Sequence, residues 1–374
     1  MSEIFLQDIT KYYGKNLILD NISLDISDRE FFVITGPSGC GKTTVLRIIA
    51  GLDTDYSGKI FFDGFDFTNL SPCQRNISMV FQDYALYPNL VAKENITFPL
   101  KLKKYPQEKI SQKLRSTIDL IDIGVERYLD YLPKELSAGH KQRVATGRAI
   151  IKESPRVFLM DEPLSNLDAK IRMNTKTYLK KLVTQLKSTT VYVTADSSEA
   201  MALADRIGVL NNGKFIQVGS PYDIYYHPEN MFVADFFGTL GINFIYGTVK
   251  NKKFCFDDYN FDISHYTNNA KLKELYKEPE LVLGIRPENI SFSVKPMEAS
   301  IKSKVDLIQR FSPKANIRCK FKNYILNVIC FTKDMHEIFR GMDIYLNFDI
   351  SKILLFYPAM GNLIPPLARF LSHL

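Results

Sequence analysis

The chain has 374 residues, of which 45% are hydrophobic and 24% charged, and this length and balance predict a globular protein of two domains. No apolar run reaches the ~18 residues of a membrane-spanning helix, and the first residues lack the basic start and apolar stretch of a secretory signal. The net charge is +7, but the charged residues are interspersed along the chain, which favours a solvated surface over a binding surface for nucleic acid or membrane. The five cysteines include no C-x-x-C pair and are odd in number, so they indicate neither a zinc site nor a set of disulfides. We therefore expect a cytosolic protein that reaches a membrane only through a partner.

Strand and helix signals alternate over residues 1–235. Compact runs rich in β-branched and aromatic residues predict strands buried on both faces at Phe31–Thr35, Ile77–Phe81, Val157–Met160 and Val191–Thr194. Helices are predicted at Lys42–Ala50, which Gly51 would end, and at Asp168–Lys187. This alternation predicts an α/β fold with a mostly parallel sheet.

Two other regions depart from that pattern. Between residues 84 and 151 the strand signals fade, and amphipathic helices at Glu108–Ile123 and Lys141–Glu153 predict a helical subdomain inserted in the α/β domain. Over residues 236–374, short alternating strands are predicted at Phe244–Val249, Lys253–Phe256, Leu281–Ile285 and Ala315–Phe321. They favour a small all-β domain, a barrel or a sandwich, after a boundary at residues 235–240.

The segment after the strand at Phe31–Thr35 has the pattern G-x-x-x-x-G-K-[ST] of a phosphate-binding loop. Its glycines let backbone N–H groups point at phosphates, and the next helix adds the positive end of its dipole. Lys42 can reach the β- and γ-phosphates, and the Thr43 hydroxyl can hold Mg²⁺. We therefore predict a nucleotide site formed by Gly36, Pro37, Ser38, Gly39, Cys40, Gly41, Lys42, Thr43 and Thr44.

A pair of carboxylates ends the later strand at Val157–Met160, where Asp161 and Glu162 follow directly. In a phosphate-loop fold the first carboxylate supports Mg²⁺ from the strand end, and a second can orient or polarise the attacking water. Strands often end in Asp, so this pair takes its meaning from the phosphate loop that precedes it. Together the two motifs predict a P-loop NTPase.

Four further segments carry a resemblance to one family, the ABC ATPases. Leu136–Arg143, with the sequence LSAGHKQR, resembles the family's LSGGQ signature, Pro163–Asp168 looks like its D-loop, and Val80–Gln82 looks like its Q-loop. Tyr13 occupies the position of the aromatic residue that stacks on adenine. Order and spacing agree over residues 1–235, so the resemblance implies an ABC ATPase domain with ATP and Mg²⁺ as its ligands.

The resemblance extends to one group within that family. Phe98–Leu102, Pro163–Lys170 and Gly284–Glu288 are similar to segments of the ATPase subunits of binding-protein-dependent sugar importers, such as the maltose and glycerol-3-phosphate systems. In that group an OB-like regulatory domain follows the ATPase domain, in agreement with the β-domain expected from residue 236. Importer ATPases for polyamines, sulfate or ferric iron share much of this layout, so these solutes stay open as alternatives.

The resemblance implies a role for each matching residue in the nucleotide site. Tyr13 would stack on adenine, and Lys42 would hold the phosphates. Thr43, Gln82 and Asp161 would arrange Mg²⁺ and the attacking water. Gln82, through that water, and Lys42, through the phosphates, would also take part in catalysis.

Other roles implied by the resemblance concern the reaction and the partners. Glu162 would be the general base. Ser137 and Gly139 would contact the γ-phosphate of ATP held by an opposite subunit, a second copy or a related ATPase, and Asp168 would signal across that dimer. Tyr84–Pro88 would dock on transmembrane permease subunits at the cytoplasmic face of the membrane, with an external solute-binding protein acting indirectly.

Three positions depart from the family pattern. The switch His after the strand at Val191–Thr194 is Ala195, and the signature has Ala138 and His140 in place of Gly and Gln. Ala138 is tolerable only with a negative φ. Ala195 cannot bond the γ-phosphate, and losing one transition-state hydrogen bond costs about 10²–10³ in rate, so we expect normal ATP binding and reduced hydrolysis. The subunit would be slow but working, or the degenerate member of a mixed dimer, or a chain carrying Ala195 as a deliberate substitution that traps ATP.

Two other classes of function remain as alternatives. A non-transport ABC protein usually carries two ATPase domains or a long coiled-coil insertion, whereas this chain has one phosphate loop and no sustained heptads. A regulatory ATP-binding module without turnover would differ from a transport ATPase only in measured hydrolysis. We expect no nucleic-acid partner, and we expect Arg286 and Glu288 to serve packing rather than ligand binding.

Overall fold

The computed structural model describes residues 3–121, 125–152, 155–264, 280–297, 300–335, 338–358 and 361–364. The chain packs into two compact units that divide between Pro221 and Tyr222. The first unit contains the strands β1 (Ile4–Tyr13), β2 (Asn16–Ile26), β3 (Phe31–Thr35), β4 (Ser57–Phe62), β5 (Phe65–Asp66), β6 (Ile77–Val80), β7 (Val157–Asp161), β8 (Thr189–Thr194), β9 (Arg206–Asn211) and β10 (Lys214–Gly219). Its helices are α1 (Lys42–Ala50), α2 (Ala92–Leu102), α3 (Gln107–Ile121), α4 (Ala138–Ile150), α5 (Ala169–Leu186) and α6 (Ser197–Leu203).

The predicted parallel sheet is confirmed. Its strands follow the order β10-β9-β3-β8-β7-β6, and every neighbouring pair from β9 to β6 is parallel. The four strands predicted for this sheet each match an observed strand, and the central ones are buried along their whole length. Because parallel strands end at the same edge, β3, β7 and β8 bring the phosphate loop, the carboxylate pair and Ala195 to one side of the sheet.

A second sheet, with the order β2-β1-β4-β5 and antiparallel pairing, was not predicted. One buried cluster joins Leu6 and Ile60 of this sheet to Ile49 of α1 and to Val193 of β8. The phosphate loop therefore leads into a helix that is packed into the core of the unit.

The stretch between β6 and β7 contains helices α2, α3 and α4 and short 3-10 turns at Val125–Tyr128 and Pro133–Glu135, and no strand among its described residues. The predicted helical composition of residues 84–151 is thus observed, although the predicted helix ends at residues 123 and 153 lie outside the described residues. Helix α4 begins at Ala138, earlier than the predicted start at Lys141, because Ser137 caps it. Helix α2 was missed because Pro99 lies inside it.

The second unit is built mainly of strands. Helices α7 (Pro221–Tyr226) and α8 (Met231–Phe236) precede β11 (Asn243–Lys250), β12 (Lys253–Phe256), β13 (Tyr259–Asp262), β14 (Glu280–Ile285), β15 (Ile290–Ser293), β16 (Ile301–Phe311), β17 (Lys314–Phe321), β18 (Tyr324–Phe331), β19 (Asp343–Phe348), β20 (Leu354–Phe356) and β21 (Leu363–Ile364). Two antiparallel sheets, β13-β12-β11-β14-β20-β21 and β15-β19-β16-β17-β18, share a core that includes Ile245, Leu283, Ile317 and Leu346. The all-β prediction is confirmed, and its finer OB-like form stays a prediction.

The two units divide between Pro221 and Tyr222, which is earlier in the chain than the predicted boundary at residues 235–240. The reason is visible in helix α8, where Ala234 is fully buried with Ile242, Val282 and Phe356 of the second unit. Among the described residues, no helix has the length and apolar character to cross a membrane.

Candidate functional site

The phosphate loop lies between β3 and α1, and two of its glycines are required by the backbone. Gly36 has a φ of 153°, and a Cβ at that position would lie 1.9 Å from the carbonyl oxygen of Leu210. Gly41 has a φ of 108°, and its Cβ would lie 2.8 Å from a methyl carbon of Leu19. Both places therefore admit only glycine, which explains why the pattern fixes them.

The Lys42 side chain is held on the loop itself. Its ammonium donates to the carbonyl oxygens of Gly36 at 3.0 Å and Pro37 at 2.9 Å, and the residue is only 5% exposed. Of the other predicted loop residues, Cys40 and Thr44 are buried, whereas Ser38 and Gly39 are exposed. Burial raises the pKa of the Cys40 thiol, so this cysteine is expected to be unreactive.

The carboxylate predicted to support Mg²⁺ meets the loop directly. Thr43 donates its hydroxyl hydrogen to Asp161 Oδ1 over 2.9 Å. Burial raises the pKa of Asp161, while the Thr43 hydrogen bond opposes that shift. A hydroxyl and a carboxylate side by side fit Mg²⁺, which keeps most of its coordination for water and phosphate oxygens and takes only one or two ligands from a protein.

Glu162 adopts an unusual backbone conformation beside Gln82. Its φ is 42°, in the left-handed region that is costly for a residue with a Cβ, and its N–H is fixed by the Val193 carbonyl at 2.9 Å. The amide of Gln82 makes a long contact of 3.5 Å with Glu162 Oε2, and the side chain of Asn166 donates to the Gln82 carbonyl at 3.0 Å. Backbone strain of this kind clusters at functional sites. Asn166 lies in the D-loop-like segment Pro163–Asp168 and supports Gln82, a role that the sequence analysis did not predict.

The residue directly after β8, at the position of the switch His in the sequence comparison above, has no polar side chain. Ala195 is exposed directly after β8. Asp196 turns to cap helix α6 and accepts hydrogen bonds from the N–H groups of Ser198 at 2.8 Å and Glu199 at 3.3 Å. The position next to the phosphate loop thus contains a methyl group and a carboxylate that is already engaged.

The predicted adenine-stacking residue is held by its neighbours. The hydroxyl of Tyr13 donates to Asp53 Oδ2 over 2.6 Å, and the Lys11 ammonium lies 4.8 Å from the ring centroid and 2.8 Å from Asp53 Oδ1. Burial and the Asp53 hydrogen bond raise the pKa of Tyr13. The ring is nevertheless 45% exposed, so it is oriented and still available for stacking. Lys11 and Asp53 have no motif that could have revealed them.

The signature segment forms the start of helix α4. Ser137 is the N-cap, and its Oγ accepts a hydrogen bond from the His140 N–H at 3.3 Å. Ala138 is the first helical residue and lies outside the left-handed region, as its methyl group requires. Asp168 caps helix α5 in the same way, accepting from the Ile171 N–H at 3.0 Å.

The structure therefore separates the predicted site into two groups. Lys42, Thr43, Asp161, Gln82 and Glu162 form one connected set around the phosphate loop. In the part of the chain that the structure describes, no hydrogen bond links Ser137, Gly139 or Asp168 to that set. Ser137 and Asp168 instead cap helices α4 and α5, and Gly139 is buried in the first turn of α4.

Comparison with known proteins adds three findings. The ABC transporter family matches residues 19–165. The chain is 38% identical to the trehalose/maltose import ATP-binding protein MalK of Thermococcus litoralis, covering 97% of this chain and 100% of that protein, and 44% identical to the xylose/arabinose import ATP-binding protein XacJ of Haloferax volcanii, covering 78% and 74%. The dimeric ATP-binding cassette MJ0796, solved with ADP and Pi in a post-hydrolysis state, is similar to 58% of this chain and 98% of its own, with 33% identity and a TM-score of 0.52.

Proposed function

Because this chain belongs to the ABC transporter family of ATP-binding proteins, we propose that it is the ATPase subunit that energises a solute importer. One observation carries the proposal: the Thr43 hydroxyl of the phosphate loop is hydrogen-bonded to Asp161, 2.9 Å away at the end of β7. That contact unites the phosphate-binding and metal-supporting groups of an ATPase. Relatives named as trehalose/maltose and xylose/arabinose import proteins support a sugar as the solute. Polyamine, sulfate and ferric iron remain the alternative solutes.

The nucleotide would be bound and hydrolysed by the connected set around the phosphate loop. Lys42 and the loop amides would bind the phosphates, and Thr43, Gln82 and Asp161 would hold Mg²⁺, which when bound neutralises phosphate oxygens. Glu162 would accept the proton of the attacking water as that water adds to the γ-phosphorus and ADP leaves.

Two subunits would bind ATP between them. Ser137 is exposed at the N-terminus of helix α4, which suits a phosphate, whereas Gly139 is buried in the first turn beside it. The similar cassette MJ0796 was solved as a dimer. Because ATP would bind the closed pair best, it would shift the population toward closure. The partner would be a second copy or a related ATPase subunit, and the Tyr84–Pro88 segment would dock on a permease at the cytoplasmic face of a membrane.

Hydrolysis is expected to be slow because the switch position is Ala195. Its methyl group cannot donate to the γ-phosphate or hold the water near Glu162, and one missing donor of this kind costs about 10²–10³ in rate. Intact Lys42, Asp161 and Glu162 favour a slow, working subunit over a degenerate one.

ATP turnover by the purified chain with Mg²⁺, measured beside Ala195→His, tests this proposal. We expect the variant to turn over about a hundredfold faster at similar ATP affinity. Glu162→Gln in both backgrounds is the control for contaminating ATPases. Fast turnover by the unchanged chain, with little gain in the variant, would show that another group replaces the missing His. Co-purification with a permease would separate a transport ATPase from a non-transport protein.

A further inference from the structure

The second departure in the signature is His140, which is the only histidine in residues 1–221. Its ring Nδ1 lies 2.9 Å from Ser137 Oγ, while its backbone N–H donates to the same oxygen at 3.3 Å. Ser137 Oγ is therefore contacted twice by one residue. Since Ser137 is the side chain proposed to contact the opposing ATP, whatever fixes its hydroxyl hydrogen also sets its ability to bind phosphate.

The imidazole of His140 is itself fixed. Its ring lies against Tyr128 with centroids 4.0 Å apart, and Tyr128 meets Tyr131 edge-on at 5.4 Å. The turn that carries these tyrosines is bonded to the start of α2, where the N–H groups of Ala92 and Lys93 each donate over 2.9 Å to the carbonyls of Tyr131 and Leu129. The ring is thus held on an aromatic support and cannot swing away from Ser137 without breaking that stack.

Hydrogen-bond counting shows what this geometry does to Ser137. A serine hydroxyl has one hydrogen and two lone pairs. If Nδ1 lacks a hydrogen, Ser137 donates to it and has no hydrogen for a ligand. If Nδ1 carries a hydrogen, Ser137 Oγ accepts from both Nδ1–H and the His140 N–H, and its own hydrogen can be donated outward. Burial and the Arg143 charge lower the pKa of His140, so the neutral ring can hold its hydrogen on either nitrogen at neutral pH.

We propose that His140 is a positioning residue for ATP-driven closure: its Nδ1–H donates to Ser137 Oγ and directs the Ser137 hydroxyl hydrogen to the γ-phosphate of the ATP held by the opposing subunit. The inference rests on the proposed function, because it needs the two-subunit ATP site. It also gives the chain an imidazole that acts through Ser137 from across the dimer, where Ala195 supplies none from the same side.

The test measures MgATP-dependent dimerisation of the full chain by sedimentation, in a Glu162→Gln background that removes hydrolysis. His140→Phe keeps the ring stack on Tyr128 but loses the hydrogen bond, and we expect dimerisation about tenfold weaker. His140→Gln restores an amide that can bond Ser137 and should recover most of the loss. Ser137→Ala should weaken dimerisation at least as much as His140→Phe, and adding His140→Phe to Ser137→Ala should weaken it no further.

Three outcomes would contradict the inference or its premise. Dimerisation of His140→Phe equal to that of the parent, or additive losses in the double variant, overturns the role of His140 while the ATP site stands. A Glu162→Gln parent that does not dimerise with MgATP overturns the proposed function and the inference together. If His140→Phe fails to fold, NMR titration of the His140 ring gives the answer, since Ser137→Ala should shift its midpoint and an unchanged midpoint would refute the bond.

Discussion

Glu199 shows how a single residue stabilises the strand end that leads to Ala195. Its Oε2 accepts hydrogen bonds from the hydroxyls of Tyr192 and Thr194, each 2.8 Å long, and the carboxyl is 3% exposed. Glu199→Ala would leave the hydroxyl hydrogens of two buried residues without their acceptor and should cost about 2–4 kcal/mol in the free energy of unfolding. Denaturant unfolding of the full chain measures this, with Ser198→Ala, an exposed neighbour on the same helix, as the control. A loss no larger than that of the control would contradict the assignment.

The same carboxyl predicts a dependence on pH. Burial raises the pKa of Glu199 above its ordinary value of 4.5, because the ionised form is poorly solvated. A raised folded-state pKa gives stability that is present below that ordinary value and is lost as the pH rises through the folded-state pKa. Glu199→Gln keeps an acceptor oxygen without the charge, so the stability of the parent relative to this variant should fall as the pH rises from 4.5 through the folded-state pKa. A difference that stays constant or grows over this range would refute the prediction.

At the scale of elements, Arg148 connects the signature helix α4 to the loop after Gln82. Its guanidinium donates to the carbonyls of Ala85 at 2.7 Å and Tyr84 at 2.9 Å and lies 5.5 Å from the centroid of the Tyr87 ring. Tyr84 and Ala85 have φ values of 64° and 43°, so Arg148 holds two residues in a conformation that they would not adopt alone. This segment is also the proposed docking site for a permease.

Removal of this contact should loosen the loop without affecting the phosphate site. Arg148→Met is expected to speed chymotrypsin cleavage after Tyr84 by about tenfold, because two charged hydrogen bonds that hold the turn are lost. ATP affinity should change little. Arg115→Met, on the exposed surface of α3, is the matched control. Unchanged cleavage in Arg148→Met would show that the loop is held by other contacts.

Elements and site residues differed in how far the sequence could predict them. Buried parallel strands and the phosphate loop have local patterns, so β3, β7 and the meeting of the phosphate loop with Asp161 could be predicted. Strand β1 could not, because its register with β2 shifts three times and a buried Lys11 breaks the two-residue alternation. Arg148 was missed for another reason, since its partners are backbone carbonyls distant in the sequence, which leave no motif.

Another arginine, Arg75, shows the same limit. Arg75 is fully buried and donates to the carbonyls of Ile48 at 2.8 Å and Ile49 at 2.9 Å, where α1 ends, as well as to the Leu70 carbonyl at 2.8 Å. It thereby supplies donors to carbonyls in the last turn of the helix, where the regular hydrogen-bond pattern ends. The fit also excludes a side chain at Gly51, whose Cβ would lie 2.7 Å from Arg75 Nε. A sequence shows the glycine but not the arginine that makes it necessary.

At the scale of the whole molecule, Ala195 has a consequence for how long two subunits would stay closed. If ATP drives closure and hydrolysis releases it, the lifetime of the closed pair is set by the rate of hydrolysis. A chain that hydrolyses ATP about a hundredfold more slowly should remain dimeric about a hundredfold longer. The unchanged chain should then form a MgATP dimer that can be isolated without a Glu162 substitution, and Ala195→His should shorten its lifetime.

Dissociation after a chase with excess ADP, with Mg²⁺ kept in the buffer, measures that lifetime. Lys42→Ala, which cannot hold the phosphates, is the control and should give no MgATP dimer at the same protein concentration. The result separates two origins of slow turnover. Long-lived dimers in the unchanged chain that shorten in Ala195→His place the defect in the chemical step. Equal lifetimes together with faster turnover in the variant would instead mean that closure, not hydrolysis, limits this ATPase, and the account of Ala195 would have to be abandoned.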